Sequence, residues 1–342
     1  MLLRLLTGLC AVGAIASAHV DDSPAPADAG AVAPDPGAWR FEAEPGWAKL
    51  PAGTPLGPTH GGVGIDRSGL IYVSTDTPAG ILVFAPDGNL LRTIAPECSG
   101  IHGFMIREEN GREFIYAAHL KGNRAVKLAL DGTLQWAIET PVESGLYDEK
   151  RRFLPTAITV APDGRIYVAD GYGASVIHEF SADRKWLRVI GKKGAADGEF
   201  QTCHGLALDL RYDRPLLLVC DRENRRLVHF DLDGNFVRTL ATGLRRPSSI
   251  AMRGQFAAIV ELEGRAIITD KEGRIVAQLG DNPDPKQWAA FKLPPAQWRD
   301  GIFIAPHGAA FDAAGNLFVQ DWNYLGRLTK LRHVPGNVAQ AR

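Results

Sequence analysis

The feature that most constrains the fold is a sixfold internal repeat of an apolar strand, a turn and a second strand that ends near an acidic residue. Repeat starts lie about 40 to 60 residues apart. The repeats are HGGVGIDRSGLIYVSTD from His60, HGFMIREENGREFIYAAH from His102, PTAITVAPDGRIYVADGYG from Pro155, HGLALDLRYDRPLLLVCDREN from His204, PSSIAMRGQFAAIVELEG from Pro247 and HGAAFDAAGNLFVQDWN from His307. The first five repeats each continue into two further short strands, as in RLVHFDLDG and then FVRTLA, and the last continues into one.

Four strands at this spacing are typical of one blade of a β-propeller, because a single twisted sheet cannot bury both of its faces without neighbours. The sequence therefore predicts an all-β fold, a six-bladed β-propeller of four-stranded antiparallel blades. Only three strands follow His307, so we expect the fourth strand of the last blade to come from WRFEAE at residues 39–44. That pairing would leave no open sheet edge.

Four of the nine histidines occupy one position of the repeat, directly before a glycine: His60, His102, His204 and His307. Radial packing brings equivalent positions of all blades to one end of a central channel. Neutral imidazoles are common zinc ligands, so these residues predict a shared metal site. The alternative is that each His-Gly pair suits the start of a blade, with the imidazole bound to a backbone carbonyl.

Composition narrows the setting of the protein. A net charge of -1 argues against a nucleic-acid partner. Residues 1–18 have an early Arg4, an apolar core and Ala16-Ser17-Ala18, which predicts a signal peptide and export to the periplasm or outside the cell. Residues 19–38 are poor in large apolar groups and read as a disordered leader to a propeller at 39–342. We expect a monomer with no membrane span.

Three cysteines, Cys98, Cys203 and Cys220, lie beyond the signal. Two of them could form a disulfide in an exported protein, and all three could equally be buried free thiols. Spacing does not choose between these alternatives.

The blade sequences resemble NHL repeats, with DRENRRLVHFD from Asp221 as the best match. Over most of residues 55–334 the chain is similar to the peptidyl-α-hydroxyglycine α-amidating lyases, the lyase domain of the peptidylglycine amidating monooxygenases. The similarity is strongest over residues 155–240. It implies a zinc-dependent carbon–nitrogen lyase that acts on a small-molecule or peptide-derived substrate.

The resemblance also assigns roles to particular residues. Zinc in that family lies on three histidines, which match His102 in GIHGFMI, His204 in TCHGLAL and His307 in APHGAAF. The family's catalytic tyrosine matches Tyr172 in VADGYGAS, and a substrate-binding arginine matches Arg222 in CDREN.

Some positions depart from the family pattern. His60 is an additional, possible ligand, and the family's second substrate-binding arginine has no counterpart in the turn STDTPAG. Gly308 follows His307 where the family has an acidic calcium ligand, which argues against calcium.

The residue types suit this chemistry without the resemblance. A tyrosine acts as acid or base when a nearby cation lowers its pKa, and an arginine offers a fork of donors to a carboxylate. Tyr172 and Arg222 each follow the acidic end of a second strand, so both are expected at the rim that carries the histidines.

Other candidates lie in loops and at repeat positions. Trp288, Trp298 and Phe303 could wall a cleft at this rim, or they could be fixed on the blade surface. His119 and Lys121 take rim positions in the second repeat, whereas His178 and His229, in third strands, are expected to be structural.

Two other classes of function remain open. One is a non-catalytic NHL-type module that binds a peptide or glycan. The other is a propeller lactonase or hydrolase with calcium on carboxylates, for which Glu261 and Asp321 are candidate ligands.

Overall fold

The computed structural model describes residues 39 to 334 of the protein. The predicted signal peptide and leader lie outside this range, as do residues 335 to 342. The first strand, β1 (Arg40–Glu44), precedes blade one.

Six four-stranded antiparallel sheets follow one another along the chain. Blade one contains β2 (Val63–Ile65), β3 (Ile71–Ser74), β4 (Ile81–Phe84) and β5 (Leu90–Ile94). Blade two contains β6 (Phe104–Glu109), β7 (Arg112–His119), β8 (Arg124–Ala129) and β9 (Leu134–Ile138). Blade three contains β10 (Ala157–Val160), β11 (Ile166–Asp170), β12 (Val176–Phe180) and β13 (Trp186–Ile190).

A short parallel pair, β14 (Lys192–Lys193) with β15 (Glu199–Phe200), connects blades three and four. Blade four contains β16 (Cys203–Asp209), β17 (Leu216–Asp221), β18 (Arg226–Asp231) and β19 (Phe236–Ala241). Blade five contains β20 (Pro247–Arg253), β21 (Phe256–Glu261), β22 (Arg265–Thr269) and β23 (Ile275–Leu279). Blade six contains β24 (Pro306–Phe311), β25 (Leu317–Asp321) and β26 (Arg327–Val334).

In the described part of the chain, helical structure is confined to single 3-10 turns in the connections. They span Pro96–Cys98, Val142–Ser144, Pro285–Gln287 and Pro295–Gln297. Within residues 39 to 334, no helix has the length and apolar character needed to cross a bilayer.

The first strand of each blade touches the first strands of both neighbouring blades, which closes a ring around a central channel. Apolar side chains fill the space between blades, because each sheet presents an apolar face on both sides. A buried cluster lies between each adjacent pair of blades. The predicted six-bladed β-propeller is confirmed.

The N-terminal strand closes this ring, as predicted. β1 pairs antiparallel with β26, with Arg40 opposite Val334 and Glu44 opposite Lys330. Trp39 packs edge-on against Phe256 of blade five, with ring centroids 4.8 Å apart. The sheet order β1-β26-β25-β24 makes the last blade a composite of both ends of the described chain.

Removing the closing strand is therefore expected to destabilise the whole ring. A variant that begins at Pro45 loses the Trp39 and Phe41 packing and leaves β26 as an open edge, which should lower the free energy of unfolding by at least about 3 kcal/mol. The control is a variant that begins at Trp39 and retains β1. Urea unfolding followed by circular dichroism measures both, and equal midpoints would contradict closure by β1.

The three cysteines are free and buried. Burial raises the pKa of the Cys203 and Cys220 thiols well above its usual value. Of the two alternatives that spacing left open, the structure shows buried free thiols.

Candidate functional site

Six equivalent positions, one per blade, surround the channel where the innermost strands begin. They are occupied by His60, His102, Thr156, His204, Ser248 and His307. In blades four, five and six the pairing register shifts at this residue, so that His204, Ser248 and His307 lie at β-bulges. Bulges of this kind redirect a side chain away from the sheet.

The imidazoles meet in the channel. Ring centroids are 4.6 Å apart for His102 and His204, 4.7 Å for His102 and His307, and 4.7 Å for His204 and His307. His60 lies 4.8 Å from His102 and 5.0 Å from His307. The structure therefore brings all four register histidines to one point.

Two sets of three imidazoles share this point. The ligand nitrogens of His60, His102 and His307 lie within 4.8 Å of one another. The set expected from the resemblance replaces His60 with His204. His102 and His307 belong to both sets, and a three-histidine group that can hold a metal is present.

Backbone carbonyls of the next blade orient the buried imidazoles. Nδ1 of His102 lies 2.6 Å from the Thr156 carbonyl, and Nδ1 of His204 lies 2.7 Å from the Ser248 carbonyl. A carbonyl only accepts, so each Nδ1 carries the proton and donates. Each Nε2 is then unprotonated and carries a lone pair, which is the form that ligates a metal.

His307 is the exception among the buried imidazoles. Among the described residues, neither its Nδ1 nor its Nε2 has a hydrogen-bond partner. The Gly61 carbonyl is close enough to raise its pKa, but burial dominates and lowers the pKa well below the usual value. A buried polar atom without a partner is costly, and a metal ion would satisfy Nε2.

The glycine after each histidine makes room for the orienting carbonyl. A Cβ on Gly103 would lie 2.5 Å from the Thr156 oxygen, and a Cβ on Gly205 would lie 2.7 Å from the Ser248 oxygen. These are the same oxygens that accept from His102 and His204. The glycine thus allows His102 and His204 to bind a backbone carbonyl, as the structural alternative expected, while the four imidazoles also converge, as a shared metal site would require.

Burial keeps the imidazoles neutral. It lowers the pKa of His102 and of His204 well below the usual value. Burial, with Arg222 acting in the same direction, lowers the pKa of His60 to about 4. Neutral imidazoles at physiological pH are those that bind metals.

The Tyr172 hydroxyl lies among these imidazoles. It is 2.9 Å from Nε2 of His204, 3.3 Å from Nε2 of His102 and 3.3 Å from Nε2 of His60. Arg222 donates to it from Nη1 at 3.0 Å, and its guanidinium lies over the Tyr172 ring. The structure therefore places the two residues named by the sequence against the histidine cluster.

Arg222 acts to lower the pKa of Tyr172, as expected, but burial has the larger effect on this pKa. Burial raises the pKa of Tyr172, whereas Arg222 acts to lower it, and the net direction is upward. The tyrosine is held as a neutral phenol, which donates a proton rather than accepting one.

Asp170 positions the turn that carries Tyr172. Its Oδ2 accepts from the Ala174 amide at 2.6 Å and from the Tyr147 hydroxyl at 2.8 Å, and its Oδ1 accepts from the Leu154 amide at 2.7 Å. Tyr147 comes from the long segment before blade three and also contacts His178, which is fully buried. The structural role predicted for His178 fits this contact.

Glu223 holds Arg222 in place. Its carboxylate accepts from Nε of Arg222 at 2.8 Å and from Arg246 at 2.6 Å, and burial is outweighed by these partners, so that the pKa of Glu223 is lowered. Arg222 thus directs Nη1 to Tyr172. No hydrogen bond from its Nη2 occurs within residues 39 to 334.

Comparisons with known proteins give partial sequence matches to amidating enzymes. No family model matches the chain. The chain is 35% identical over 99 residues to the peptidylglycine alpha-amidating monooxygenase of Rattus norvegicus. This aligned segment covers 27% of this chain and 10% of that protein. The chain is 34% identical over 131 residues to a probable peptidyl-alpha-hydroxyglycine alpha-amidating lyase of Caenorhabditis elegans. This aligned segment covers 36% of this chain and 36% of that protein. The matches thus span about a tenth and about a third of these relatives.

The chain resembles the amidating lyases. Solved propellers support the fold alone: a virginiamycin B lyase of Staphylococcus aureus has a TM-score of 0.56 at 13% identity, covering 86% of this chain and 100% of that one. A gluconolactonase of Xanthomonas campestris has a TM-score of 0.57 at 13% identity, covering 82% of this chain and 89% of that one. The resemblance to the amidating lyases therefore rests on the sequence matches.

Glu261 and Asp321, the carboxylates named for the lactonase alternative, belong to no group of three or more His, Cys, Asp or Glu side chains that could hold a metal in the described part of the chain. Glu261 accepts from the Arg245 amide and pairs with Arg265. Oδ1 of Asp321 accepts from the Ala305 amide at 2.7 Å. These carboxylates hold the start of their own blades, and the group that can hold a metal among residues 39 to 334 is the histidine group.

The prediction of an aromatic wall was wrong for Phe303, which is fully buried between blades five and six. Trp288 and Trp298 lie beneath the guanidinium groups of Arg245 and Arg327. Position in a long loop does not show which of its aromatic residues enters the core.

Sequence reasoning missed the aromatic residues that do approach the site. Trp322 lies 5.9 Å from His60 and 4.8 Å from Phe291, measured between ring centroids. Trp322 directly follows Asp321, as Arg222 follows Asp221. The position directly after the acidic residue that ends a second strand therefore indicates Trp322 as a rim residue from sequence alone.

The other rim candidates lie apart from the imidazoles. His119 is buried, and its Nε2 lies 3.0 Å from the Ser99 carbonyl, while Lys121 donates to the Ser99 hydroxyl. His229 is fully buried and bonded to Asp209 at 3.0 Å, consistent with a structural role.

Filling the space beside one orienting carbonyl should weaken the site. Gly205→Ala is expected to displace the Ser248 carbonyl, release the His204 ring and weaken metal binding by about tenfold to 100-fold, as loss of such outer partners commonly does. Gly243→Ala is the control, because nothing lies within 4 Å of the added Cβ, although its φ of +71° also strains the backbone. Zinc affinity measured by competition with a chromophoric chelator compares the two. Equal affinity would contradict the role given to this glycine.

Proposed function

We propose that the protein is an exported, zinc-dependent lyase that breaks the carbon–nitrogen bond of an α-hydroxyglycine unit, in a peptide-derived or similar small substrate. The observation that carries this proposal is the meeting of the Tyr172 hydroxyl, the Arg222 guanidinium and the register imidazoles at one point. The resemblance to the amidating lyases supports the same substrate class.

The imidazoles of His102, His204 and His307 would hold the metal. Two of them have their Nδ1 protons committed to carbonyls, and the third has a buried Nε2 without a partner. Three neutral nitrogens with a further open position suit catalytic zinc. Zinc bound there would supply Lewis-acid polarisation of a substrate oxygen.

Arg222 would bind the carboxylate of the hydroxyglycine unit. Its Nε and Nη1 are held by Glu223 and Tyr172, which aims the guanidinium plane and leaves Nη2 for a ligand. A charge-assisted hydrogen bond from arginine is strong in a mostly buried site.

Tyr172 would transfer the proton. The reaction removes the hydroxyl proton, forms a carbonyl on that carbon, breaks the bond to nitrogen and adds a proton to the nitrogen. The products are an amide and glyoxylate, and no oxidant is consumed. Tyr172, neutral because of burial, can donate to the leaving nitrogen and regain its proton from the hydroxyl.

The test is release of glyoxylate from a benzoyl-α-hydroxyglycine substrate by the zinc-loaded protein. We expect equal amounts of benzamide and glyoxylate, loss of activity with a chelator and recovery with zinc. Benzoylglycine, which lacks the hydroxyl, is the matched control and should be inert. If the zinc-loaded protein does not exceed the spontaneous rate on this substrate or on peptidyl hydroxyglycines, the proposal fails.

A further inference from the structure

A cavity of about 600 Å³ occupies the central channel on the side of the imidazoles away from Tyr172. His102, His204 and His307 line its inner end, whereas Tyr172, Arg222 and His60 do not line it. Arg107, in the second half of β6, and Leu210, just beyond the end of β16, line its outer end. Leu210 is 62% exposed, so this end opens to solvent.

The cavity is deep and narrow because it follows the innermost strands. From His204 to Leu210 the chain advances by roughly 20 Å at the usual rise of a strand. The inner end is closed by the imidazoles, so the cavity is a blind tunnel.

Most of the tunnel wall is apolar. The innermost strands contribute Phe104, Ile106, Ile158, Leu208, Ile250 and Met252. A volume of this size with an apolar wall is typical of sites for small apolar ligands. A peptide would leave its backbone groups without partners along such a wall.

The side chains that line the tunnel carry positive charge and no carboxylate. Arg107, near the outer end, is the one lysine, arginine or carboxylate residue among those that line the cavity. Its Nη1 donates to the Ala161 carbonyl at 3.1 Å, which fixes the side chain near the mouth. The nearby carboxylate of Glu109 is paired with Lys127 and Tyr116.

We propose that this tunnel binds a single-chain carboxylate of the fatty-acid class, with the alkyl chain along the innermost strands and the carboxylate at Arg107. The match is one of shape and charge: a narrow apolar tunnel, blind at one end, with a cation at the other. The tunnel meets the proposed metal site only at the imidazoles of its inner end, and ligand binding at Arg107 does not depend on catalytic activity.

The experiment is isothermal titration of the intact protein with octanoate, decanoate and dodecanoate below their micelle concentrations. Affinity is expected to rise by about fourfold per methylene, since each buried methylene contributes about 0.8 kcal/mol. Dodecyltrimethylammonium, with the same chain and the opposite charge, should bind at least about tenfold more weakly. Chelation of zinc should leave all values unchanged.

Two variants locate the ligand. Arg107→Gln should weaken dodecanoate binding by about tenfold or more and leave dodecanol binding unchanged. Ile250→Trp should abolish binding of both by filling the tunnel, and Met252→Trp at the outer end is used if that protein does not fold. Val237→Trp is the control, because Val237 is 47% exposed on an outer strand.

Affinity that does not depend on chain length, or that survives both tunnel-filling substitutions, would overturn the proposal. Loss of binding on chelation would also overturn it, because the carboxylate would then lie at the imidazoles. Failure of the lyase assay affects none of these readings, since none of them uses turnover.

Discussion

Tyr172→Phe is expected to lower turnover of a hydroxyglycine substrate by about 100-fold or more while zinc content and thermal stability remain nearly unchanged. The substitution removes one hydroxyl that lies 2.9 Å from His204 and 3.0 Å from Arg222. A positioned proton donor commonly contributes about 100-fold to 10,000-fold to a rate. The Michaelis constant should change little, because Arg222 remains to bind the carboxylate.

The control for this substitution is Tyr324→Phe. Tyr324 lies near the aromatic residues of the rim, 6.4 Å from Phe291 between ring centroids. Its variant loses the same hydroxyl without touching the imidazoles, so its activity should match that of the wild type. If Tyr172→Phe retains full activity, the proposed proton transfer is wrong, and the rim is better explained as a binding surface.

The architecture could be predicted because its information is repeated along the chain. Six segments show the same alternation and the same turn, so a weak signal in one blade is supported by the others. The closing strand was found by counting, since the last repeat has three strands and a propeller needs four. The pairing of β1 with β26 is confirmed in register.

The convergence of the histidines could also be predicted, because the radial arrangement of the blades brings residues at the same repeat position together at one end of the channel. What the repeat does not contain is the hydrogen bond that orients each ring. The donation from His204 to the Ser248 carbonyl joins different blades. This hydrogen bond requires β16 and β20 to approach so closely that a Cβ on Gly205 would be excluded, and that distance is known only from the structure.

Which side chains of the long loops lie at the rim could not be predicted from the sequence. Phe303 and Trp288 lie in one long segment, and neither periodicity nor composition indicates which of them is buried. Phe303 enters the core between blades, whereas Phe291 from the same segment reaches Trp322. Burial also reversed the pKa expected for Tyr172, because a cation nearby can be inferred from sequence but the depth of the pocket cannot.

The choice between the two sets of three imidazoles has a measurable outcome. His204→Ala should weaken zinc binding by at least about 100-fold and abolish activity, whereas His60→Ala should retain one equivalent of zinc. Ring-centroid distances to His102 and His307 are slightly shorter for His204 than for His60, whereas the ligand nitrogens that lie within 4.8 Å of one another are those of His60, His102 and His307.

Orientation decides between them. Nδ1 of His204 is held by the Ser248 carbonyl, so its Nε2 lone pair is already aimed into the cluster, and the ring is 1% exposed. His60 is less buried, and its hydrogen bond among the described residues is to Tyr172. A ligand held in place before the metal arrives loses less entropy on binding. Metal analysis of the two variants after dialysis, with circular dichroism to verify folding, measures this difference. Zinc retained by His204→Ala and lost by His60→Ala would instead assign the metal to His60, His102 and His307.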